Sequence, residues 1–560
     1  MAQDARKAIQ AMTRRLGEME TAREEFRPHW KEIGELNAPQ RGRGLSGSNS
    51  EEDTDGSKKG AQIYDPTGVI SAGTTAAGMQ SGITSQSRPW FRLALQDRAA
   101  SDSHAVRMWL SEVERRLRAV FEGSNFYKAC YHTYSELAVF GTGAFSIMES
   151  FENVIHCKPF TIGEYYLANG PTDKVNTFVR RFWPTALQIV EEFGEKNVSQ
   201  TVKNAAKGNA TEARFEVIHF VEPNDDRIEL RDIRNRPTRS VYYEAGNNNG
   251  KVLRVRGFDE MPVMATRWDV VGSGVYGIGC PGMNSLPDVK GLQKMRKKYY
   301  TALDKLVDPP LQGSADMRYE EVNDIPGGLS FINQAVNQWS GYRPLHQVPV
   351  DTLRINEAIQ QDRQTVREHF FADLFRMISS LPMRSGTTAT EIAERHEEKL
   401  MILGPVLERV HDEMLSPGID RTYSIMLRSG LIPEPPPEIQ GQPIKIEYIG
   451  ILAQAQKLVG LGAIEGFMGF AGNLASVNPQ VLDKIDMDEA IELYGDAIGV
   501  PPSVLVPQEQ VNQIRAARAA QAQAQQQGQA AMAAADGAKT LSETDTGGNN
   551  MLTQMLGIPA

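Results

Sequence analysis

The sequence predicts an α+β chain, mainly helical, built from several structural units. Three observations carry that reading. Apolar residues recur at helical spacing in the N-terminal part and again after Pro287, period-2 alternation is confined to the stretch between, and two long helical runs bracket a compact excursion. The chain has 560 residues, 41% of them hydrophobic and 23% charged. At ~100–200 residues per domain this length implies roughly three to five units, and the apolar fraction excludes wholesale disorder.

Charge and cysteine usage narrow the function classes. A formal net charge of −10 argues against a protein that grips nucleic acid on a simple basic patch, but not against one that lets DNA pass. Cys130, Cys157 and Cys280 are odd in number and have no metal-ligand spacing. Reduced thiols in a cytosolic product are expected, with no disulfide framework and no structural zinc. The first twenty residues lack the apolar stretch of a secretory signal. Lys457 and Glu465 interrupt the apolar region between Ile446 and Val477, so no transmembrane helix is expected.

The elements follow in order. Residues 1–36 read as one helix, with Ile9, Met12, Leu16 and Met19 on one face. Arg41 to Gly60 is a Gly/Ser-rich charged loop. Ile63 to Phe91 is rich in Gly, Ala, Ser and Thr; Ala72, Ala76 and Ala77 would let a helix pack closely. Two helices are expected between Ala105 and Glu149. Val106, Leu110, Val113, Leu117 and Val120 stripe the first, and Gly141-Thr142-Gly143 stops the second. Ala144 to Val270 reads as short strands and hairpins, with Phe215, Val217, His219 and Val221 alternating with polar residues and one helix near Thr185 to Phe193.

After Pro287 the period changes. Asp288 to Leu306 is helical, apolar along Val289, Leu292, Met295, Tyr299, Ala302 and Leu306 and basic along Lys290, Lys294, Lys297 and Lys298. Asp308-Pro309-Pro310 ends it. Leu311 to Val350 makes an excursion with short strands. A second helix runs from Thr352 to about Ile378 through Ile355, Ile359, Val366, Phe370, Leu374 and Met377. Ser379 to Thr387 is a loop, and Thr388-x-x-Glu391 is a capping box opening a long helix that Gly404-Pro405 should kink. A Pro-rich linker, a strand over Ile444 to Ile449, helical pieces to Gly499 and an Ala/Gln/Arg helix over Val511 to Ala535 complete the chain, with 536–560 expected to be a mobile tail.

Catalytic constellations are weak. Gly272-x-Gly274-x-x-Gly277 matches a dinucleotide-binding fingerprint, but no helix starts at once and Pro281 and Pro287 intervene, so a turn with close backbone approach is the better reading. Gly537-Ala538-Lys539-Thr540 lacks the earlier glycine of a phosphate-binding loop. His396-Glu397-Glu398 lacks the second His that zinc needs; His369, His396 and His411 read as ordinary helix residues. Asp225, Asp226, Asp483, Asp486 and Asp488 read as solvated charges rather than a two-metal centre. No catalytic residue, metal ligand or cofactor is assigned.

Several blocks together carry a family resemblance. They are Tyr64-Asp65-Pro66-Thr67-Gly68 leading to Ser85-Gln86-Ser87-Arg88-Pro89-Trp90-Phe91; Asn125-Phe126-Tyr127 through Ala138-Val139-Phe140-Gly141-Thr142-Gly143; and Gly163-Glu164-Tyr165-Tyr166 with Arg180-Arg181-Phe182 and Phe193-Gly194. Tyr276-Gly277-x-Gly279, with Leu286-Pro287-Asp288 opening a helix that closes at Val307-Asp308-Pro309-Pro310, and the Ala/Gln-rich C-terminal run complete the set. In this order, over roughly residues 5–530, they resemble the head-to-tail connector, or portal, proteins of short-tailed bacteriophages.

The resemblance implies a ring subunit with wing 1–280, stem helix 281–306, clip 307–351, stem helix 352–378, tunnel loop 379–388, long wing helix and linker 389–440, crown 441–510, barrel-like extension 511–535 and tail 536–560. It implies a ring of about twelve copies at one capsid vertex, admitting double-stranded DNA during packaging and releasing it during ejection. Implied partners are DNA without sequence preference, the terminase large subunit, tail adaptor and tail proteins, and major capsid and scaffolding proteins. No membrane is implied; the place is the virion, after synthesis in the host cytoplasm. Met383 and Arg384 of the tunnel loop are the residues expected to touch DNA. Lys290, Lys294, Lys297 and Lys298 have two readings: contact with phosphate in the bore, or pairing with a neighbouring subunit's acids or solvent. Another virion structural protein, such as a tail adaptor or capsid component, is the alternative.

Overall fold

The computed structural model describes residues 2–41, 45, 60–95, 104–208, 210–225, 227, 232–246, 252–307, 311–312, 343–344, 351–380, 402–439, 443–450, 468–474, 488, 506 and 508–543. The chain divides into two units. The first comprises Met1–Ala94, Leu110–Glu434 and Ile444–Ile485; the second comprises Leu95–Trp109, Pro435–Pro443 and Asp486–Ala560.

The first unit opens with α1 (Ala2–Glu24) and α2 (Arg27–Asn37). The single helix expected over 1–36 is thus two. Pro28 has no N–H for the carbonyl of Glu24, so the ladder breaks and Pro28 sits in the first turn of α2. Met12, Leu16 and Met19 are buried, as their spacing required. Next come α3 (Thr67–Ile83), β1 (Phe91–Leu95), α4 (His104–Gly123) and α5 (Phe126–Phe140). Gly141 caps α5 with φ +78°, and its N–H donates to Leu137 O.

Eight strands in two sheets follow the layer logic of an α+β unit. A three-stranded sheet has order β3-β2-β9, from β2 (Thr142–Ser150), β3 (Val154–Phe160) and β9 (Val263–Arg267). An antiparallel five-stranded sheet runs in sequence order: β4 (Tyr165–Asn169), β5 (Val175–Phe182), β6 (Val217–Pro223), β7 (Thr238–Glu244) and β8 (Val252–Phe258). Its two faces are both covered. α1 packs on Tyr166, Val179, Ile218, Phe220, Val241 and Tyr243. On the other face α6 (Ala186–Phe193) and α7 (Gln200–Lys207) cover Val217 and Leu253. The alternation expected along 215–221 therefore does not mark a wet face: residues 217–222 are all buried. Where one helix was expected, two occur. A Thr185–Gln188 capping box starts α6, and the Ser199 side chain caps α7.

The dinucleotide-like glycines form a loop after β9. A Cβ on Gly277 would overlap Gly141 O, and one on Gly141 would lie 2.6 Å from Gly277 O. The two backbones touch here, as the turn reading expected, and the Gly277 N–H donates to Thr142 Oγ1 at 2.8 Å.

A short turn, α8 (Pro281–Asn284), leads into α9 (Leu286–Val307), and α10 (Thr352–His369) returns beside it. Between them β10 (Leu311–Gln312) pairs antiparallel with β11 (Arg343–Pro344); Asp308-Pro309-Pro310 lies outside the described residues. The second helix does not run unbroken to 378. It stops at His369 and resumes as α11 (Ala372–Ser380), with Phe371 at φ +51° in the break. The capping box at Thr388, the start of the long helix and His396 lie outside the described residues. Residues 402–410 are helical through Gly404-Pro405, and a π-turn, His411–Leu415, follows and feeds α12 (Ser416–Arg428). β12 (Ile444–Tyr448), expected to open a crown, pairs with β1 and lies in the first unit.

In the second unit α13 (Gln508–Glu543) continues past the expected end at 535, so the tail expected from 536 begins as helix. Arg515 holds Asp488 through both carboxylate oxygens, at 2.7 and 2.8 Å.

Candidate functional site

The α9–α10 hairpin is the chain's most distinctive chemistry-bearing feature, and a turn 220 to 300 residues away organises it. Asp65, fully buried, uses Oδ1 to accept from Thr67 N at 3.0 Å and Thr67 Oγ1 at 2.5 Å, which shapes the turn into α3. Its Oδ2 accepts from Arg363 Nε and Nη2 of α10, at 2.9 and 2.7 Å. Gln293 of α9 completes the knot: its Oε1 accepts from the N–H groups of Tyr64 and Asp65 at 2.7 and 2.8 Å, and its Nε2 donates to Asp65 O at 2.7 Å. Burial alone would raise the Asp65 pKa, but the bonds from Thr67 and Arg363 outweigh it and hold the carboxyl below its ordinary value.

The break between α10 and α11 is held from α3. Thr75 Oγ1 donates to Phe370 O at 2.6 Å, and Gly78 has no Cβ because the Phe375 side chain fills that space. The small residues of α3 thus serve close packing. Across the hairpin, Asp288 Oδ2 lies 3.0 Å from His369 Nε2. Beside the break is a cavity of about 370 Å³ lined by Trp268, Pro281, Thr365, His369 and Phe371 among others.

The four lysines of α9 divide into two kinds. Lys290 forms an ion pair with Glu32 of α2, and Lys297 Nζ stands 5.6 Å from the centre of the Tyr64 ring. Lys294 and Lys298 are exposed and have no acidic partner among the described residues. Met383 and Arg384 lie outside the described residues. Asp65, Gln293 and Arg363 were not singled out by the sequence reading. The Asp-Pro-Thr turn signature was visible there, but its grip on two helices was not.

A second buried ion pair stiffens the first unit. Arg267 of β9 donates to both oxygens of Glu413 in the π-turn, Nη2 to Oε1 at 2.6 Å and Nε to Oε2 at 3.3 Å. Its Nη2 also reaches Asp173 O at 2.9 Å. Among the described residues no group of three or more His, Cys, Asp or Glu could hold a metal ion, and no helix is long and apolar enough to cross a membrane. Cys130, Cys157 and Cys280 are buried free thiols, with burial as the first cause raising each pKa. What the arrangement offers is a strut clamped at its base, not a reacting constellation.

Comparison with known proteins gives the strut a context. The family described as "Bacteriophage head to tail connecting protein" matches residues 9–505. The "Portal protein" of Salmonella phage epsilon15 is 42% identical over 543 residues, covering 97% of both chains. The "Probable portal protein" of Bordetella phage BPP-1 is 37% identical over 542 residues, covering 97% of this chain and 96% of that one. A chain from the virion of a native gene transfer agent particle aligns with TM-score 0.36 and 10% identity, over 78% of this chain and 91% of that one, a likeness too low to add to the assignment. With the family matched across most of its length and two relatives matched from end to end, this chain belongs to the bacteriophage head-to-tail connecting proteins.

Proposed function

We propose that the chain is the portal subunit of a phage virion, a structural component at one capsid vertex rather than an enzyme. The observation that carries this is the 42% identity to a portal protein over 97% of the chain. About twelve copies form the ring, as closed heterologous assemblies do when the subunit rotation closes. Double-stranded DNA enters through it and leaves through it, with terminase docking first and tail proteins later. Capsid and scaffolding proteins hold the ring in place, and synthesis occurs in the host cytoplasm.

In this reading residues 1–280 are the wing, α9 and α10 with α11 are the stem, and 307–351 the clip. Residues 379–388 are the tunnel loop, with Met383 and Arg384 against DNA. The long wing helix lies within 389–440, the crown is 441–510, and the barrel-like extension is 511–535, with 536–560 behind it. Duplex DNA carries one charge per ~1.7 Å, so a strongly basic bore would hold it fast. A net −10 per subunit supports passage without tight wrapping.

The test is the mass and shape of the purified protein, by light scattering and negative-stain microscopy. Rings with a central hole are expected, twelve times 62.0 kDa or about 744 kDa for a dodecamer. A particle that stays at 62.0 kDa even with scaffolding and capsid proteins present would overturn the reading.

A further inference from the structure

The hairpin carries opposite chemistry on its two outer flanks. Lys294 lies two residues past buried Leu292, about 200° round α9, and Lys298 follows one turn later on the same side. On α10, Glu357 and Gln361 lie two residues either side of buried Ile359, and Glu368 lies two past buried Val366, again about 200° away. All five are exposed. Val289 and Val366 share one core cluster at the hairpin's base, so the buried sides face inward and these flanks face outward, one basic and the other carrying Glu357, Gln361 and Glu368, with Arg354 one turn earlier already paired with Asp351.

The flanks also match in height. Asp65 grips both Gln293 and Arg363, and Asp288 meets His369, so 293 is level with 363 and 288 with 369. Counting from these ties at ~1.5 Å per residue puts Lys298 level with Glu357 to within about one residue, and Lys294 level with Gln361. In a cyclic ring every residue keeps its height along the axis from copy to copy.

We infer that the lysine flank of α9 docks on the Glu357–Gln361 flank of α10 in the next copy of this chain, fixing the order and angle of neighbouring stems. The inference rests on the ring reading above. It places Lys294 and Lys298 between subunits rather than in the bore. Exposed ion pairs each contribute little, so the pairing acts on register and partner choice more than on raw affinity.

The test is charge reversal in the full chain, with assembly read by light scattering without DNA and folding by circular dichroism. Lys294→Glu with Lys298→Glu, and separately Glu357→Lys with Gln361→Lys, should each raise the concentration needed for rings by about tenfold. Combining all four changes should restore it. Assembly of the unaltered protein should also weaken as salt rises. Rings unaffected by either pair of changes, no rescue in the combination, or salt-insensitive assembly would each overturn the inference. Intact rings that lose DNA with the lysine changes would do so too, placing those lysines in the bore. If the unaltered protein makes no rings even with scaffolding and capsid proteins present, the ring reading itself fails and the inference falls with it.

Discussion

Asp65 and Arg363, 298 residues apart in sequence, are joined by two hydrogen bonds to a single carboxylate oxygen at 2.7 and 2.9 Å. The carboxylate is fully buried, and among the described residues the guanidinium pairs with no other acid. Removing the acid takes away the partner of both bonds and frees α10 from the turn, while Gln293 of α9 keeps its bonds to the backbone of Tyr64 and Asp65. Asp65→Ala should cost about 3–5 kcal/mol, and Asp65→Asn about 1–3 kcal/mol because the amide keeps part of the bonding. Urea unfolding of the purified protein checks both, and equal loss in the two variants would show that the charge, not the size or the residual amide bonding, holds the turn.

Two glycines should respond in opposite directions. Gly277→Ala drives a Cβ into Gly141 O, which is backbone and cannot yield, so a loss above about 4 kcal/mol or no soluble protein is expected. Gly17, exposed inside α1 with nothing within 4 Å of its would-be Cβ, should gain about 0.5–1 kcal/mol as Ala. Thermal melts of the two variants measure the contrast.

Glu136 is buried in α5, where it accepts from Ile162 N at 3.0 Å and pairs with Arg41 at 3.3 Å. Burial dominates over Arg41 and raises its pKa from 4.5 to about 7. The folded state then binds the proton more tightly than the unfolded chain. Stability from this group is present below pH 4.5 and is lost as pH rises towards 7. Glu136→Gln should remove that slope, flattening a decline of roughly 3 kcal/mol. Denaturant midpoints from pH 4.5 to 8 would show it, and parallel curves for the two proteins would count against a buried proton.

Leu374 is fully buried in α11. Leu374→Asp puts a carboxylate in a position without solvent, costing about 4–5 kcal/mol and disturbing assembly. Wild-type melting and ring yield would mean that α11 leaves this face open in solution.

Replacing Met383 and Arg384 with Gly tests the tunnel-loop proposal. Rings should form normally, while DNA packaging or retention falls severalfold, since phosphate contact rather than base readout is lost. Packaging assays with the variant decide it; unchanged yield and retention remove the assignment.

Local rules made much of this fold legible. Met12, Leu16 and Met19 gave a face, Gly141 gave a stop, and the small residues of α3 gave close packing. What escaped depends on contacts or on short elements. α7 is too short for a periodic signal and is declared mainly by its Ser199 cap. Period-2 reading makes β6 half wet, yet helices from distant segments cover both its faces. The stop at Phe371 has neither Gly nor Pro to announce it and is held by Thr75 from α3. For the site, the basic face of α9 was visible, but which lysines have partners was not. Glu32 and Tyr64 claim two of them only after folding.

The ladder Leu311↔Pro344 and Gln312↔Arg343 is only two residue pairs long, yet it sets the separation at which the excursion leaves and rejoins the hairpin. Tying the ends there uncouples the length of what lies between from the geometry of the helices below. Lengthening a closed loop costs little, about 0.6 kcal/mol per doubling. Insertions between Gln312 and Arg343 should therefore leave α9 and α10 in place.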